Sequence, residues 1–345
     1  MLLDAHAAKR RMTTVPPQEV LTVEGLKAYY LNEFFGVRRE VRAVDDVSLT
    51  VRRNEVYGIA GESSSGKSSL IKTLAGAIRP PLRVLGGTVA YHFGGKTIDV
   101  YSRPDELKPA RWRHLSYIMQ GSMNVLNPVR LVKHAFDDFA LRHMGLAPTE
   151  FRERVEVHLE RLGLDPDVLQ AFPHQLSGGM RQRVTIALAT VCEPEFIIAD
   201  EPTTALDVLV QQDVLALIKD VQARMQSSIV FVTHDMSVHA AITDRLAIMY
   251  AGRLVEEGMT QTLFDQPQHP YTAHLIASLP RIGDTRIRKS LPGKPPALSS
   301  PPSGCRFHPR CPLATERCAR EVPPMLPSAT GGRVACFHPG EARVE

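Results

Sequence analysis

No stretch of this 345-residue sequence stays apolar for the ~18–20 residues that a helix needs to cross a bilayer. Any membrane role must therefore come through a partner. The basic run Lys9-Arg10-Arg11 has no apolar segment behind it, which excludes a secretory signal and leaves residues 1–19 as a flexible tail. Net charge is only +4 and no basic stripe is interleaved with aromatics, so nucleic acid is not an expected partner. The interval from Leu70 to Gln175 has no sustained heptads, which excludes a long coiled coil. Five cysteines occur, yet none forms the C-x2-C knuckle usual in zinc ribbons. What the chain does have is 43% hydrophobic residues, enough for a real core, and a length that suits one large domain with appendages.

The stretch from Glu55 to Leu70 organises the rest. It reads as a buried strand, a glycine-bounded loop and the first turn of a helix. Gly61-Glu62-Ser63-Ser64-Ser65-Gly66-Lys67-Ser68, running into Ser69, fits the phosphate-binding pattern G-x-x-x-x-G-K-[ST]. Without Cβ atoms, Gly61 and Gly66 let the backbone curl and aim successive N–H groups inward. Those donors, with the positive end of the following helix, suit a triphosphate. Lys67 would reach the β- and γ-phosphates, and the Ser68 hydroxyl would ligate Mg²⁺.

Before the loop, Leu21 to Tyr30 and Val41 to Val51 alternate as strands, separated by a charged loop over Glu33 to Glu40. Either Tyr29 or Tyr30 could stack on an adenine face, or both could simply pack on the sheet. Beyond the loop, a helix over Ser69 to Ala77 stops at Pro80-Pro81, and Gly86-Gly87 opens a strand over Thr88 to Phe93. Leu115 to Gln120 is a short strand ending in a lone amide, which could hold Mg²⁺ or the attacking water, or be an ordinary strand end. From Val132 to Leu164 the pattern turns helical, with Ala135, Phe136, Phe139, Ala140 and Leu141, then Val155, Val157, Leu159 and Leu162, near a 3.6-residue period. Ser177 then makes a good N-cap, and Gly178-Gly179 leave N–H groups uncovered at a second anion-binding helix end. Glu195 to Pro202 is an apolar strand ending in two acids: Asp200 can hold Mg²⁺ through water, and Glu201 can polarise a water for attack. His234 ends a further strand at the sheet edge where ligands bind, although a histidine there is more often structural. Cys192, alone in an apolar run, reads as a small core hydrophobe.

In this order the motifs resemble the ATP-binding subunit of ABC transporters, over roughly Leu21 to Gly258. Gly61 to Ser68 look like that family's Walker A, Gln120 its Q-loop, and Leu176 to Gln182 its signature sequence. Asp200 with Glu201 look like Walker B and the catalytic glutamate, Ala205-Leu206-Asp207 the D-loop and His234 the H-loop. Tyr30, rather than Tyr29, falls where the family has its adenine-stacking aromatic. Two departures stand out: Met180 replaces the usual signature glutamine, and Gly121 follows Gln120 where an acid is common. The resemblance implies a P-loop NTPase (RecA-like) α/β core with an antiparallel β subdomain. It places a nucleotide-binding domain at 20–265, with a helical subdomain inserted at about 121–187, and a small cysteine-rich extension at 266–345. It also implies two cassettes closing head to tail on ATP, so that Ser177, Gly178 and Gly179 serve the opposing subunit's site, with Lys67, Gln120, Glu201 and His234 catalytic.

Gln266 to Leu275 and Gly304 to Pro312 resemble the extension of oligopeptide/dipeptide importer ATPases, a group that also carries oligosaccharides or nickel. The expected partners are a second, homologous ATPase subunit, two permeases and an extracytoplasmic binding protein, at the cytoplasmic face of the inner membrane. Soluble ABC proteins of DNA repair would need a coiled coil or zinc insert, and translation factors a second P-loop; this chain has neither. After a proline-rich linker, Cys305, Cys311, Cys318 and Cys336 are spaced C-x5-C-x6-C-x17-C. Four such thiols fit a [4Fe–4S] cluster, to which the resemblance points, or zinc, or they are unligated or disulfide-linked. A segment this poor in apolar residues needs some staple to be ordered.

Overall fold

The computed structural model describes residues 19–34, 36–119, 121, 125–204, 206–279, 291 and 293–341. Along the chain its strands are β1 (Glu19–Phe34), β2 (Val37–Arg52), β3 (Val56–Ala60), β4 (Leu82–Phe93), β5 (Lys96–Asp99) and β6 (Leu115–Ile118). They continue as β7 (Phe196–Asp200), β8 (Ser228–Val232), β9 (Arg245–Tyr250), β10 (Arg253–Met259), β11 (Leu326–Pro327) and β12 (Arg333–Val334). Two sheets result.

The first sheet has the order β2-β1-β4-β5 and is antiparallel throughout. Leu21 and Val23 are buried while Thr22 and Glu24 between them are not, the alternation of a one-sided sheet. Of the stretch from Glu33 to Glu40, expected as a loop, residues 33–34 and 37–40 instead prolong the two strands, with Leu31 opposite Glu40 and Asn32 opposite Arg39. Ladder hydrogen bonds use the backbone, so charged side chains do not forbid them. The strand expected from Thr88 likewise starts earlier, at Leu82, and runs through Gly86-Gly87. Gly87 has φ 84°, and a Cβ there would lie 2.5 Å from the Gly25 carbonyl oxygen. The glycine therefore marks a close approach at a register shift between β1 and β4, not a strand start.

The second sheet has the order β11-β12-β10-β9-β3-β8-β7-β6. Its members β9, β3, β8, β7 and β6 are parallel. Every residue of β3, β7 and β8 is buried, as expected for parallel strands covered on both faces. Their C-terminal ends lie along one edge, so the residues following Ala60, Asp200 and Val232 meet there. The helix after the glycine loop spans Lys67–Leu74 and is capped at Ala75, short of the expected Ala77.

The helical stretch is broken rather than continuous. Val132–Phe136 passes into a π-helical turn at Asp137–Leu141, and Pro148–Arg161 follows Gly145 in the left-handed region. Phe136, Ala140, Val155, Leu159 and Leu162 share a core with Val184 and Leu188. Phe139 and Val157, expected on the same apolar faces, are each 45% exposed. The π-turn shifts the phase at the first, and the second lies two residues from Val155 and so on the opposite side of its helix. Cys192 packs partly buried against this core, and burial pushes its thiol up to about 11. No described helix is long and apolar enough to cross a membrane.

The C-terminal segment joins the main sheet, with Glu256 of β10 opposite Val334 of β12. Phe307 is buried against Tyr250 and Tyr271. Arg306, also buried, pairs with Asp45 and donates to the Ala251 carbonyl. The staple that this segment needs is thus supplied by strand pairing, aromatic packing and ion pairs.

Candidate functional site

The glycine loop is packed backbone against backbone. Gly61 has φ 151° and Gly66 φ 106°; a Cβ on the first would lie 2.2 Å from the Met249 oxygen, and on the second 2.0 Å from the Ala43 oxygen. Only glycine fits either position. Inside the loop, the Lys67 ammonium donates to the Gly61 carbonyl at 2.6 Å and the Glu62 carbonyl at 2.9 Å. Burial pulls the Lys67 pKa down, opposed by the negative charges of Glu201, Asp200 and Glu62. Ser65 is buried, whereas Ser63, Ser64 and Ser68 stand exposed at the mouth. Ser69 is buried, and its hydroxyl bonds that of Tyr30 at 3.1 Å. The Tyr29 hydroxyl is instead committed to Asp45 at 2.5 Å.

Asp200 ends β7 in a buried position. Its Oδ2 accepts from Tyr117 at 3.2 Å, but its Oδ1 is buried with no hydrogen-bond partner among the described residues. Burial raises the Asp200 pKa, partly offset by the Tyr117 bond. An orphaned carboxylate oxygen at a strand end suits a hard cation, and Mg²⁺ takes one or two protein oxygens with the rest from water and phosphate. Asp200 and the exposed Ser68 hydroxyl are donors of that kind. Glu201 follows with φ 46°, a left-handed conformation costly for a side-chain-bearing residue and common at functional sites. Its Oε1 meets His234 Nδ1 at 3.2 Å, and its Oε2 accepts from Thr204 at 3.0 Å. Burial pushes the Glu201 carboxyl up, but the His234 and Thr204 bonds outweigh it and hold the group below the usual carboxylate range. Lys67, Asp200, Glu201 and His234 are thus brought to one edge of the sheet. Gln120 and Ala205 lie outside the described residues.

Ser177 caps the helix Gly178–Thr190, its hydroxyl accepting the Met180 N–H at 3.3 Å. Asp207 caps the helix Val208–Met225 by accepting from Val210 N–H at 3.0 Å. Both caps are exposed. Among the described residues no hydrogen bond or ion pair joins either cap to Lys67 or Asp200. The nucleotide edge and the second glycine-bearing helix end are therefore separate features of one chain.

A family model described as ABC transporter matches residues 44–204, and one described as the C-terminal region of oligopeptide/dipeptide transporters matches residues 255–318. The chain is 39% identical over 328 residues to the dipeptide transport ATP-binding protein DppD of Caldanaerobacter subterraneus subsp. tengcongensis, covering 94% of this chain and 98% of that one. This chain belongs to the ABC transporter ATPases. It is likewise 39% identical over 307 residues to the oligopeptide transport ATP-binding protein OppD of Salmonella typhimurium, with 88% and 90% of the two chains covered. The solved dimer of the bacterial ABC transporter cassette MJ0796 matches with a TM-score of 0.59 at 25% identity, covering 70% of this chain and 98% of that chain. A post-hydrolysis dimer of the same cassette, bound to ADP and Pi, matches with a TM-score of 0.58. The chain is accordingly an ATP hydrolase of the oligopeptide/dipeptide type within that family.

Four residues around the ATPase site carried no role in the sequence reading. Tyr117 binds Asp200 across the β6–β7 pair, a placement that parallel pairing of the two short strands could have signalled. Thr204 reaches back three residues to Glu201, a local turn pattern. Tyr271 accepts the Glu62 N–H at 2.8 Å, and Arg310 grips the Glu62 carboxylate. No local pattern links residues so far apart.

The four tail cysteines are free thiols. Burial, partly offset by the His338 N–H bond and reinforced by the charges of Cys305, Cys311 and Cys318, pushes the Cys336 thiol up to about 12. Burial also raises Cys305 and Cys311. Yet among the described residues no group of three or more His, Cys, Asp or Glu is arranged to hold a metal ion. The metal expectation for the tail finds no support in this geometry.

Proposed function

We propose that this ATPase powers uptake of di- or oligopeptides, working as one of two ATPase subunits beneath two permeases at the cytoplasmic face of the membrane. The cargo class is supported by the relatives named for dipeptide and oligopeptide transport and by the match to the oligopeptide/dipeptide C-terminal region. The catalytic reading rests on one observation: the orphaned Asp200 oxygen beside Glu201, whose carboxyl is held by His234 and Thr204 at the loop edge. In this reading the loop N–H groups and Lys67 bind the phosphates. Asp200 and Ser68 would hold Mg²⁺, which when bound neutralises phosphate charge. Glu201, ionised through its partners, accepts a proton from the attacking water, and His234 orients it. Tyr30 lies beside Ser69 at the end of the loop, where its ring can take an adenine face. The exposed Ser177, with Gly178 and Gly179 behind it, would then close on phosphate held by the opposing subunit, and Asp207 would serve the same junction. No step uses a metal in the cysteine tail.

The test is reconstitution with the permeases, second ATPase subunit and binding protein. Peptide-stimulated ATP hydrolysis and peptide uptake that both vanish in Glu201→Gln support the reading. Stimulation by an oligosaccharide or nickel, with none by peptides, would overturn the cargo.

A further inference from the structure

The peptide unit between Gly61 and Glu62 is gripped at both ends. Its carbonyl accepts the Lys67 ammonium at 2.6 Å, and its N–H donates to the Tyr271 hydroxyl at 2.8 Å. In a trans peptide these groups point in opposite directions on one rigid plane, so turning one turns the other. The Glu62 carboxylate is gripped too, with Arg310 Nη1 donating to Oε2 at 2.7 Å and Nη2 to Oε1 at 3.0 Å. That fork-on-fork pairing fixes direction as well as distance. Tyr271 and Arg310 both come from the C-terminal region, 209 and 248 residues beyond Glu62.

Both grips are themselves stiffened. Tyr271 is fully buried, its ring 4.6 Å from that of Tyr250 and 5.4 Å from that of Phe307. Arg310 is buried over the Tyr250 ring and donates to the Tyr250 hydroxyl at 3.2 Å. Tyr250 ends β9, whose neighbour β3 delivers the chain to Gly61. Anchoring the C-terminal region does not require any of this, because Arg306 on Asp45, Phe307 in its pocket and β12 on β10 already do so. Two further contacts converge on one loop residue, and that residue shares a peptide plane with the carbonyl that aims the phosphate lysine.

We propose that the C-terminal region is a built-in brace of the nucleotide loop, in which Tyr271 and Arg310 are positioning residues that aim Lys67 through the Gly61–Glu62 peptide. The proposal rests on reading Gly61 to Ser68 as the ATP loop. An ammonium has three donors; two are spent on the Gly61 and Glu62 carbonyls, and among the described residues the third meets only the Ser65 hydroxyl at a long 3.5 Å, a contact that a phosphate oxygen can replace. Without the brace the plane is free to rotate, and binding must then supply the ordering cost.

MgADP, which is not consumed, would be titrated into the full-length chain and its variants. Tyr271→Phe, which removes one oxygen and keeps the ring, should weaken binding about fivefold, the worth of one hydrogen bond. Arg310→Met should weaken it about tenfold and Arg310→Lys should recover part, since a charged pair is worth more than a neutral one. The double variant Glu62→Gln with Arg310→Met should bind no worse than Arg310→Met alone, because the two act as a pair. In the assembled transporter the loss should fall on KM for ATP rather than on kcat. Tyr271→Phe and Arg310→Met binding MgADP like the parent, while Lys67→Ala loses it, would overturn the brace and leave the loop reading standing. Lys67→Ala binding normally would overturn both. Additive losses in the double variant, or a loss in kcat alone, would also refute the brace. Should Arg310→Met fail to fold, Tyr271→Phe decides.

Discussion

The helices Lys67–Leu74 and Gly178–Thr190 both open on glycine and present backbone N–H groups at a positive end, but they are finished differently. The first is closed in by the chain itself. Met249 and Ala43 carbonyls press on its glycines, Lys67 folds into its loop, and Glu62 is held by Tyr271 and Arg310. The second carries its own cap, with Ser177 exposed and, among the described residues, no hydrogen bond from that cap to Asp200. A Cβ on Gly179 would meet only the side chain of Val210, at 3.0 Å. An anion site completed inside one chain needs internal bracing. One completed by a second molecule must stay open until that molecule arrives.

The largest effects should come from the closed side. Lys67→Ala removes the buried ammonium of the loop, and should cost about a hundredfold or more in MgATP affinity and hydrolysis. Glu201→Gln is isosteric and keeps its contacts to Thr204, so nucleotide binding should persist while turnover falls by about 10²–10³-fold. Equilibrium binding and single-turnover hydrolysis, measured side by side in the assembled complex, separate the two. A Glu201→Gln complex that still turns over would move the base elsewhere.

How far each side was legible follows the same division. The glycine loop, the acid pair and the Ser177 cap are local patterns, and the structure has strand, loop and helix where the residues place them; Asp207, read as part of a turn, proves to cap the next helix. Side-chain polarity misled at Glu33 to Glu40, because a ladder is made by the backbone. Gly86-Gly87 looked like punctuation but serves a close approach between strands. The π-turn at Asp137–Leu141 leaves no mark in a 3.6-residue pattern that continues on both sides of it. The cysteines are the tail's visible pattern, whereas Arg306, Phe307 and Arg310, interspersed among them, make the contacts. Spacing displays the thiols, but the arginines' carboxylate partners lie more than 200 residues away.

On the open side, Ser177→Arg should leave MgADP binding to the isolated chain intact and lower hydrolysis in the assembled complex at least tenfold, by putting a bulky cation where a small cap must approach phosphate. Weakened binding in the isolated chain would mean that Ser177 serves its own loop, and the contrast between the two ends would collapse.

Acid should strain both regions. His239 packs beneath β3, where a Cβ on Gly58 would lie 2.7 Å from its Nδ1, and burial holds its pKa at about 4. His158 bonds Thr190, the last residue of the Gly178–Thr190 helix, at 2.9 Å; burial, then Arg161, Arg154 and Arg224, hold it at about 4. Both folded values lie below the ~6.5 of an unfolded histidine, so their stability is complete above pH 6.5 and is lost as pH falls towards 4. Each contributes up to about 3 kcal/mol over that window. Melting temperature should be flat from pH 7 to 8 and drop below 6.5, with His158→Gln flattening part of the drop. Hydrogen exchange in the two glycine-led helices reads each region separately.

The smallest effect should come from restoring the family's glutamine at position 180. Ser177 accepts the main-chain N–H of Met180, not anything on its side chain. If the open end works through its cap and its glycine backbone, Met180→Gln should change hydrolysis by less than about twofold, as a partly exposed helix position does when no contact is lost. A tenfold gain in the assembled complex would show that the side chain at 180 reaches the nucleotide held opposite. The second helix end would then be an incomplete site in this subunit rather than an open one.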